Sequence, residues 1–412
     1  MTATTAGAAS IEPAQLPAVG RRLRPLAVGL GLQNMLFWLP VEKLFMTDIG
    51  FDAAAIGLIA AVYAAVVPVL EVPFGVLADR WSRTGVLALA SVALAASALV
   101  GGLSNDPAMY AVSAVLLGVY FALSSGTADS IIYDTLVEET GSGEAYEAWL
   151  GRFHMFEAVT LVISSVLGGV LAATFSPRFT YFATVPLVAA AAIAFARCRE
   201  PKLHRATERV PYRQQAVTTL RALTSTLALR RVVVLAALTA IVAQVLFEFG
   251  PLWLVSVHAP SSWYGPYWAA LVSTVGIGAW LASRVDLSRS WVAGVVGTSA
   301  VVATLLLVTV SSLSVVIVSQ VVVALVAAMV GVRASFLMHE AVTANIRAGV
   351  SSGASTLGWI TFVPASLLFG WLSRAHGVHT AGWLLVLITA ALAILVRKAV
   401  RPEPSALTPV QV

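Results

Sequence analysis

The 412-residue chain has little charge and almost no cysteine. Asp, Glu, Lys and Arg make up only 11% of it, against roughly 25% in an ordinary soluble domain. A soluble globule has too little interior to hide such a chain, because surface-to-volume scaling limits how much can be buried. The single cysteine, Cys198, excludes an intramolecular disulfide; flanked by Arg197 and Arg199, it reads as a small neutral residue. The sequence has no glycine-rich phosphate loop, no cluster of metal-ligating residues and no catalytic triad pattern. ATP-driven work and enzyme catalysis are therefore disfavoured, and no metal or cofactor is expected. The first 20 residues are rich in Ala, Thr and Pro, lack the charged-then-apolar pattern of a cleaved signal and are expected to be disordered.

What the chain does have is apolar length. Hydrophobic residues reach 59% and the mean hydropathy is +0.88. The apolar runs are helix-length, unlike the alternating segments of about ten residues in a membrane β-barrel. A bilayer acts as solvent for such helices, and each crossing takes roughly 20 residues. The runs predict helices over 26–46, 53–77, 84–103, 108–134, 151–174 and 179–197, then 231–256, 262–283, 290–310, 313–337, 349–372 and 378–397. Between the two sets lies a polar stretch, Arg197 to Arg231, with nine Lys and Arg.

This pattern predicts an all-α membrane protein with twelve transmembrane helices in two six-helix repeats. The expected divisions are a disordered N-terminus over 1–24, bundles over 25–197 and 231–398, a basic linker over 198–230 and a tail over 399–412. With the N-terminus inside, only Lys43, Arg178 and Arg374 fall outside, and the other 22 of the 25 basic residues fall inside. That bias follows the positive-inside rule, so both termini and the linker are expected on the cytoplasmic side of the plasma membrane. The basic linker then needs no nucleic acid to explain it. A faint internal echo supports the repeats: Leu77-Ala78-Asp79-Arg80 ends the second helix of one set, and Leu281-Ala282-Ser283-Arg284 ends the second helix of the other.

The strongest local motif is Pro73-Phe74-Gly75-Val76-Leu77-Ala78-Asp79-Arg80-Trp81-Ser82-Arg83. It resembles the loop 2–3 signature of the major facilitator superfamily, G-x-L-A-D-R-x-G-R-[KR], with Ser82 in place of a glycine and Thr84 in place of a basic residue. Gly75 would allow close helix packing. Asp79 would face the N-terminus of the eleventh helix near Arg347, where free N–H groups favour negative charge. Arg80 and Arg83 would reach acids at the foot of the fourth helix, Asp134 being best placed. Such pairs would latch the halves on the cytoplasmic side. Arg284 and Glu340 offer a corresponding pair in the second half.

Ionisable groups inside a membrane helix are costly and usually functional. Glu71, Asp129 and Glu157 fall about 8–12 Å inside the cytoplasmic face, and Glu248 about 25 Å from it. Glu42, beside Lys43, is expected at the outer interface. His154 shares a helix face with Glu157, as a static pair or a proton relay. Gln33, Asn34 and Gln244 are neutral polar candidates, Gln244 one turn before Glu248. Trp263, Tyr264, Tyr267 and Trp268 read as an interfacial aromatic belt.

The resemblance implies secondary active transport by alternating access, driven by protons, of a small molecule. The few charges in the helices suit export of a small hydrophobic or amphipathic compound. Uptake of a small metabolite is the alternative, and a non-transporting membrane receptor a third reading. Drug–proton antiporters of that superfamily often carry G-P-x-x-G-G in helix 5; here Ser164-Ser165-Val166-Leu167-Gly168-Gly169 keeps only the double glycine. The arginine typical of their helix 4 is missing from Leu116 to Gly126. Expected partners are the small-molecule substrate, protons and the lipid bilayer, with the chain a monomer.

Overall fold

The computed structural model describes residues 16–142, 145–201, 227–340 and 347–399. The described residues are almost wholly helical. In chain order the helices are α1 (Leu16–Gln33), α2 (Glu42–Asp48), α3 (Ala53–Arg80), α4 (Arg83–Leu103), α5 (Pro107–Ser124), α6 (Thr127–Thr140), α7 (Tyr146–Thr174) and α8 (Pro177–Ala196). The second half continues with α9 (Leu227–Ser256), α10 (Tyr264–Arg284), α11 (Ser290–Thr309), α12 (Leu313–Glu340), α13 (Arg347–His376), α14 (Val378–Ala381) and α15 (Trp383–Ala399). They form twelve spans, because α1 with α2, α5 with α6, and α14 with α15 are single interrupted spans, the last one broken after its first turn. Nine segments among the described residues are long and apolar enough to cross a bilayer. The other three, α1 with α2, α10 and α13, are less uniformly apolar.

Short polar side chains set several of the helix starts. Asp52, Ser82, Asp106 and Ser176 each accept a hydrogen bond from a backbone N–H three residues on, satisfying a donor that the helix itself leaves free. The first span breaks between Asn34 and Trp38, just before Pro40, which has no N–H to continue a helix. The fourth span breaks at Ser125 and Gly126, where Gly126 takes φ +64°, a conformation that glycine adopts without strain. Helix α1 begins at Leu16, earlier than the apolar run suggests. Its charged turn stays helical because Arg22 is held between Glu138 (3.0 Å) and Glu139 (2.6 Å) at the end of α6.

The core is divided unequally. At one end of the bundle a single apolar cluster joins both halves: Phe45, Tyr110 and Tyr181 share it with Phe249, Trp253 and Phe369. At the other end the clusters are separate, one built from the second half and two from the first. The separated end carries Arg22, Arg83, Arg284 and Arg397 and is termed the basic end; the joined end, where α3 begins at Ala53, is the far end. Flanking the joined core, α3 packs on α13 and α7 on α10. Both contacts are made by glycine. A methyl group added at Gly57 would fall 2.5 Å from the Ser366 carbonyl oxygen and 3.1 Å from Gly370 Cα. One added at Gly169 would fall 2.7 Å from Gly265 Cα.

Candidate functional site

The breaks and glycines converge on a buried ionic cluster. Gly168 lets the broken backbone of the first span pass, since a methyl group there would lie 2.2 Å from the Phe37 carbonyl oxygen. The chain then re-enters α2 with Glu42 and Lys43 turned into the protein. Lys43 is only 3% exposed and Glu248, on α9, only 8%. The Lys43 ammonium pairs with Glu248 Oε1 across the two halves, and with Glu42 Oε2 at 2.8 Å. Tyr63 on α3 donates its hydroxyl to Glu248 Oε2 at 2.9 Å. Tyr110 on α5 donates to Glu42 Oε1 at 2.8 Å and lies 2.9 Å, hydroxyl to hydroxyl, from Tyr181 on α8. Two carboxylates share one ammonium, so with every group ionised the cluster carries one unbalanced negative charge.

This placement corrects the sequence reading of Glu42 and Lys43 as interfacial. The Pro40 break shifts α2 out of the register of α1 and carries both side chains into the core. The aromatic belt is corrected too. Tyr264, Tyr267 and Trp268 are buried, with Tyr267 donating to Gln320 Oε1 at 2.7 Å; Trp263 is half exposed. Tyr63 and Tyr110 have no place in the sequence reading, and Lys43 enters it only as a basic residue on the outer side. A Glu–Lys dipeptide just after a proline break in an apolar run was the available signal.

Closer to the basic end, each of the remaining acids has its own polar partner. Glu71 accepts from Ser125 Oγ at 2.6 Å, a contact made possible by the Gly126 break. Asp129 lies 3.7 Å from His154 Nε2, with both side chains about half exposed. His154 thus has its charged partner on α6 as well as Glu157 on its own helix. Glu157 is half-buried beside Asn34 and Tyr120. Asn34 also donates to the Leu30 carbonyl at 2.9 Å, closing the end of α1. Gln33 points elsewhere: it is buried and donates to Ser91 Oγ on α4 at 3.0 Å, inside the first half. Gln244 stands one turn from Glu248, its Oε1 buried and without a hydrogen-bond partner among the described residues.

At the basic end, Arg83 pairs with Asp134. Arg80 is exposed. Among the described residues, Gly75 has no atom within 4 Å of an added methyl group. The side chains of Asp79 and Glu340 lie outside the described residues, and with them the contact to helix α13 and the Arg284–Glu340 pair; Arg284 stacks on Trp280 at 5.3 Å. Sequence reasoning missed Glu200, which caps the start of α4. Its carboxylate accepts from Ser82 Oγ (2.8 Å), Arg83 N–H (2.9 Å), Thr84 N–H (3.1 Å) and Thr84 Oγ1 (2.7 Å). Ser82 and Thr84 are the two departures from the family motif, and both serve this acid.

Every ion pair and close glycine contact that joins the halves, among the described residues, lies toward the far end. Asp52 with Arg374, at 3.1 Å, adds an outer pair there. Two six-span halves closed at one end around a buried charge cluster are the architecture of a membrane carrier. The family model of the Major Facilitator Superfamily matches residues 26–361. The chain belongs to that superfamily. It is a multi-pass membrane transporter, not an enzyme. Among solved structures, the fold of the transporter is similar to that of a bacterial homologue of the human lysosomal transporter Spinster in an inward-facing, occupied conformation. The TM-score is 0.76 at 16% identity, covering 96% of this chain and 100% of that one. It is also similar to the nucleoside transporter NupG (TM-score 0.72, 13% identity, 93% and 98% covered) and to a D-xylose–proton symporter (TM-score 0.68, 14% identity, 94% and 99% covered). A comparison of the transporter with curated protein sequences finds no match.

Proposed function

We propose that this chain is a proton-coupled secondary transporter that works by alternating access and exports a small hydrophobic or amphipathic compound. The observation that carries the reading is the Glu42–Lys43–Glu248 cluster, whose members belong to both halves. Opening the far end separates Glu248 from Lys43. A buried ion without its partner is costly, and more so within a bilayer. Glu42 and Lys43 share α2 and stay together, so the ammonium remains balanced. Glu248 alone needs neutralising, and one proton does it. On closure Lys43 returns to Glu248 and the proton leaves toward the basic end. A cycle of this kind carries one proton from the far side to the basic side for each opening and closing. One proton crossing the membrane potential supplies about 2.3 kcal/mol per 100 mV, more than a tenfold solute ratio requires.

The substrate class follows from what lines the second half. A hollow of about 300 Å³ between α9, α10 and α12 is walled by alanines, Gly331, Val275, Val332 and Phe247, with Thr239, Thr274 and Ser335 as its polar groups. No charged side chain lines it, which favours apolar or amphipathic solutes over sugars or phosphates. The basic end faces the cytoplasm of the plasma membrane in this reading. The two halves correspond to residues 25–197 and 231–398, and the Arg83–Asp134 pair, which lies within the first half, holds the basic end of that half in shape as access switches. Proton-coupled uptake of a small metabolite uses the same cycle and is the second reading.

Proteoliposomes with an imposed pH difference test it, using lipophilic dyes for export and a nucleoside and sugar panel for uptake. Wild type concentrates a dye against its gradient. Glu248→Gln loses this and keeps dye exchange, because exchange needs no net proton movement. If Glu248→Gln still concentrates dye when only a pH difference is imposed, proton coupling through this cluster is wrong. If sugars or nucleosides are concentrated and dyes are not, the uptake reading replaces export.

A further inference from the structure

Away from the space between the halves, α1 and α7 leave a groove of about 190 Å³ near the basic end. Leu23 and Ala27 of α1 and Phe156 of α7 form its apolar wall, and Arg24, Arg152 and Trp149 its polar rim. The groove looks outward. Val28 on α1 and Met155 and Val159 on α7, which flank it, are 53%, 65% and 48% exposed, the character of a lipid-facing surface. Its depth is fixed by helix length. From Arg152 to Thr174 the helix rises about 33 Å, slightly more than the roughly 30 Å of hydrocarbon in a bilayer. The guanidinium of Arg152 therefore sits at head-group level, with Phe156 one turn deeper.

The charges of this rim are unbalanced. Arg22, two residues before Arg24, lies between Glu138 and Glu139. Neither Arg24 nor Arg152 has a carboxylate partner among the described residues. Arg152 lies over the Trp149 ring at 5.4 Å, which holds the guanidinium at the mouth of the groove rather than letting it swing free. Two cations above an apolar slot complement a phosphodiester above an acyl chain. We propose that this groove binds an anionic phospholipid, its phosphate between Arg24 and Arg152 and one chain against Leu23, Ala27 and Phe156. The lipid then bridges α1 to α7 within the first half. This site does not depend on which solute is carried.

The test uses the full chain in nanodiscs of phosphatidylcholine containing one fifth phosphatidylglycerol. Lipid retained after extraction into detergent is counted by native mass spectrometry. Wild type retains phosphatidylglycerol in preference to phosphatidylcholine. Arg24→Gln with Arg152→Gln lowers that preference about tenfold or more. Arg21→Gln with Arg199→Gln, which removes the same charge from exposed positions outside the groove, leaves it unchanged. Ala27→Leu narrows the slot with all charges intact and also lowers retention. Millimolar inorganic phosphate does not displace the lipid. The proposal is overturned if the Arg24/Arg152 variant retains as much phosphatidylglycerol as wild type. It is also overturned if the Arg21/Arg199 control loses as much, which would indicate diffuse surface charge, or if phosphate alone empties the site.

Discussion

The two ends of the bundle are held by different kinds of contact. At the far end one apolar core, one buried ionic cluster and two glycine contacts run across both halves. At the basic end charges are more numerous, yet in the described structure each pair closes within its own half: Arg22 with Glu138 and Glu139, Arg83 with Asp134, and Glu200 with the start of α4. In the proposed cycle the ionic cluster is what parts when access switches, whereas the described pairs of the basic end keep each half in shape. A single buried lysine that joins the halves carries more consequence for closure than arginines paired within one half, because removing one partner of a buried pair strands the other and here the stranded partner lies across the divide.

The largest expected effect breaks the far end directly. Lys43→Met leaves Glu42 and Glu248 buried without their cation and should destabilise the protein by about 3–5 kcal/mol. Thermal unfolding in detergent measures this, and adding Glu248→Gln should restore much of the loss. A variant as stable as wild type would mean that the cluster does not clamp the halves. Next comes steric wedging. Gly169→Val places a side chain against the Gly265 backbone and should cost about 1–3 kcal/mol as overpacking. With Cys198→Ser and Ala60→Cys, a thiol reagent should reach the otherwise fully buried position 60 faster in the wedged protein. Unchanged labelling would show that the glycine contact does not set the closure.

How far the sequence reveals this contrast depends on the kind of interaction. Most of the spans are legible because nine described segments are long apolar runs, and the caps at Asp52, Ser82, Asp106 and Ser176 are single residues at fixed offsets from their targets. Arg83 is findable because it opens α4 directly after the loop motif, and Asp134 because it is an acid near the end of the fourth apolar run. Lys43 and Glu248 are 205 positions apart, and nothing local states that they meet. Glu42 and Lys43 look interfacial in a continuous helix; only the interruption before α2 turns them inward. Gln33 fails in the opposite way. It reads as a cavity residue because it is polar in an apolar run, but Ser91 satisfies it within the first half.

Smaller effects are expected at the basic end. Asp134→Asn removes the partner of Arg83 and should slow transport severalfold, with membrane insertion and Ala60→Cys labelling at rest unchanged. A transport rate equal to wild type would reduce the pair to an anchor at the membrane edge. The smallest effect belongs to Glu200. Burial alone would raise its carboxyl, but hydrogen bonds from Thr84, the Arg83 N–H and Ser82 hold it below the usual carboxylate range. A group depressed on folding contributes stability above its unfolded value and loses it as pH falls through the folded one. Unfolding midpoints measured from neutral to acid pH should fall more steeply for wild type than for Glu200→Gln, with the two converging in acid. Parallel curves would show that the cap contributes nothing.

The glycine contacts also constrain how the halves can move. Gly57 rests on Gly370 along one flank of the far end, and Gly169 on Gly265 along the other. At both points backbone meets backbone, so neither half can slide inward there, and there is no flexible side chain to yield. Two fixed points define a line. Of the six ways one rigid body can shift against another, rotation about that line disturbs these contacts least. The two knuckles act as a hinge pin, and small tilts about it translate into wide travel at the basic end, a lever arm of the full membrane thickness away.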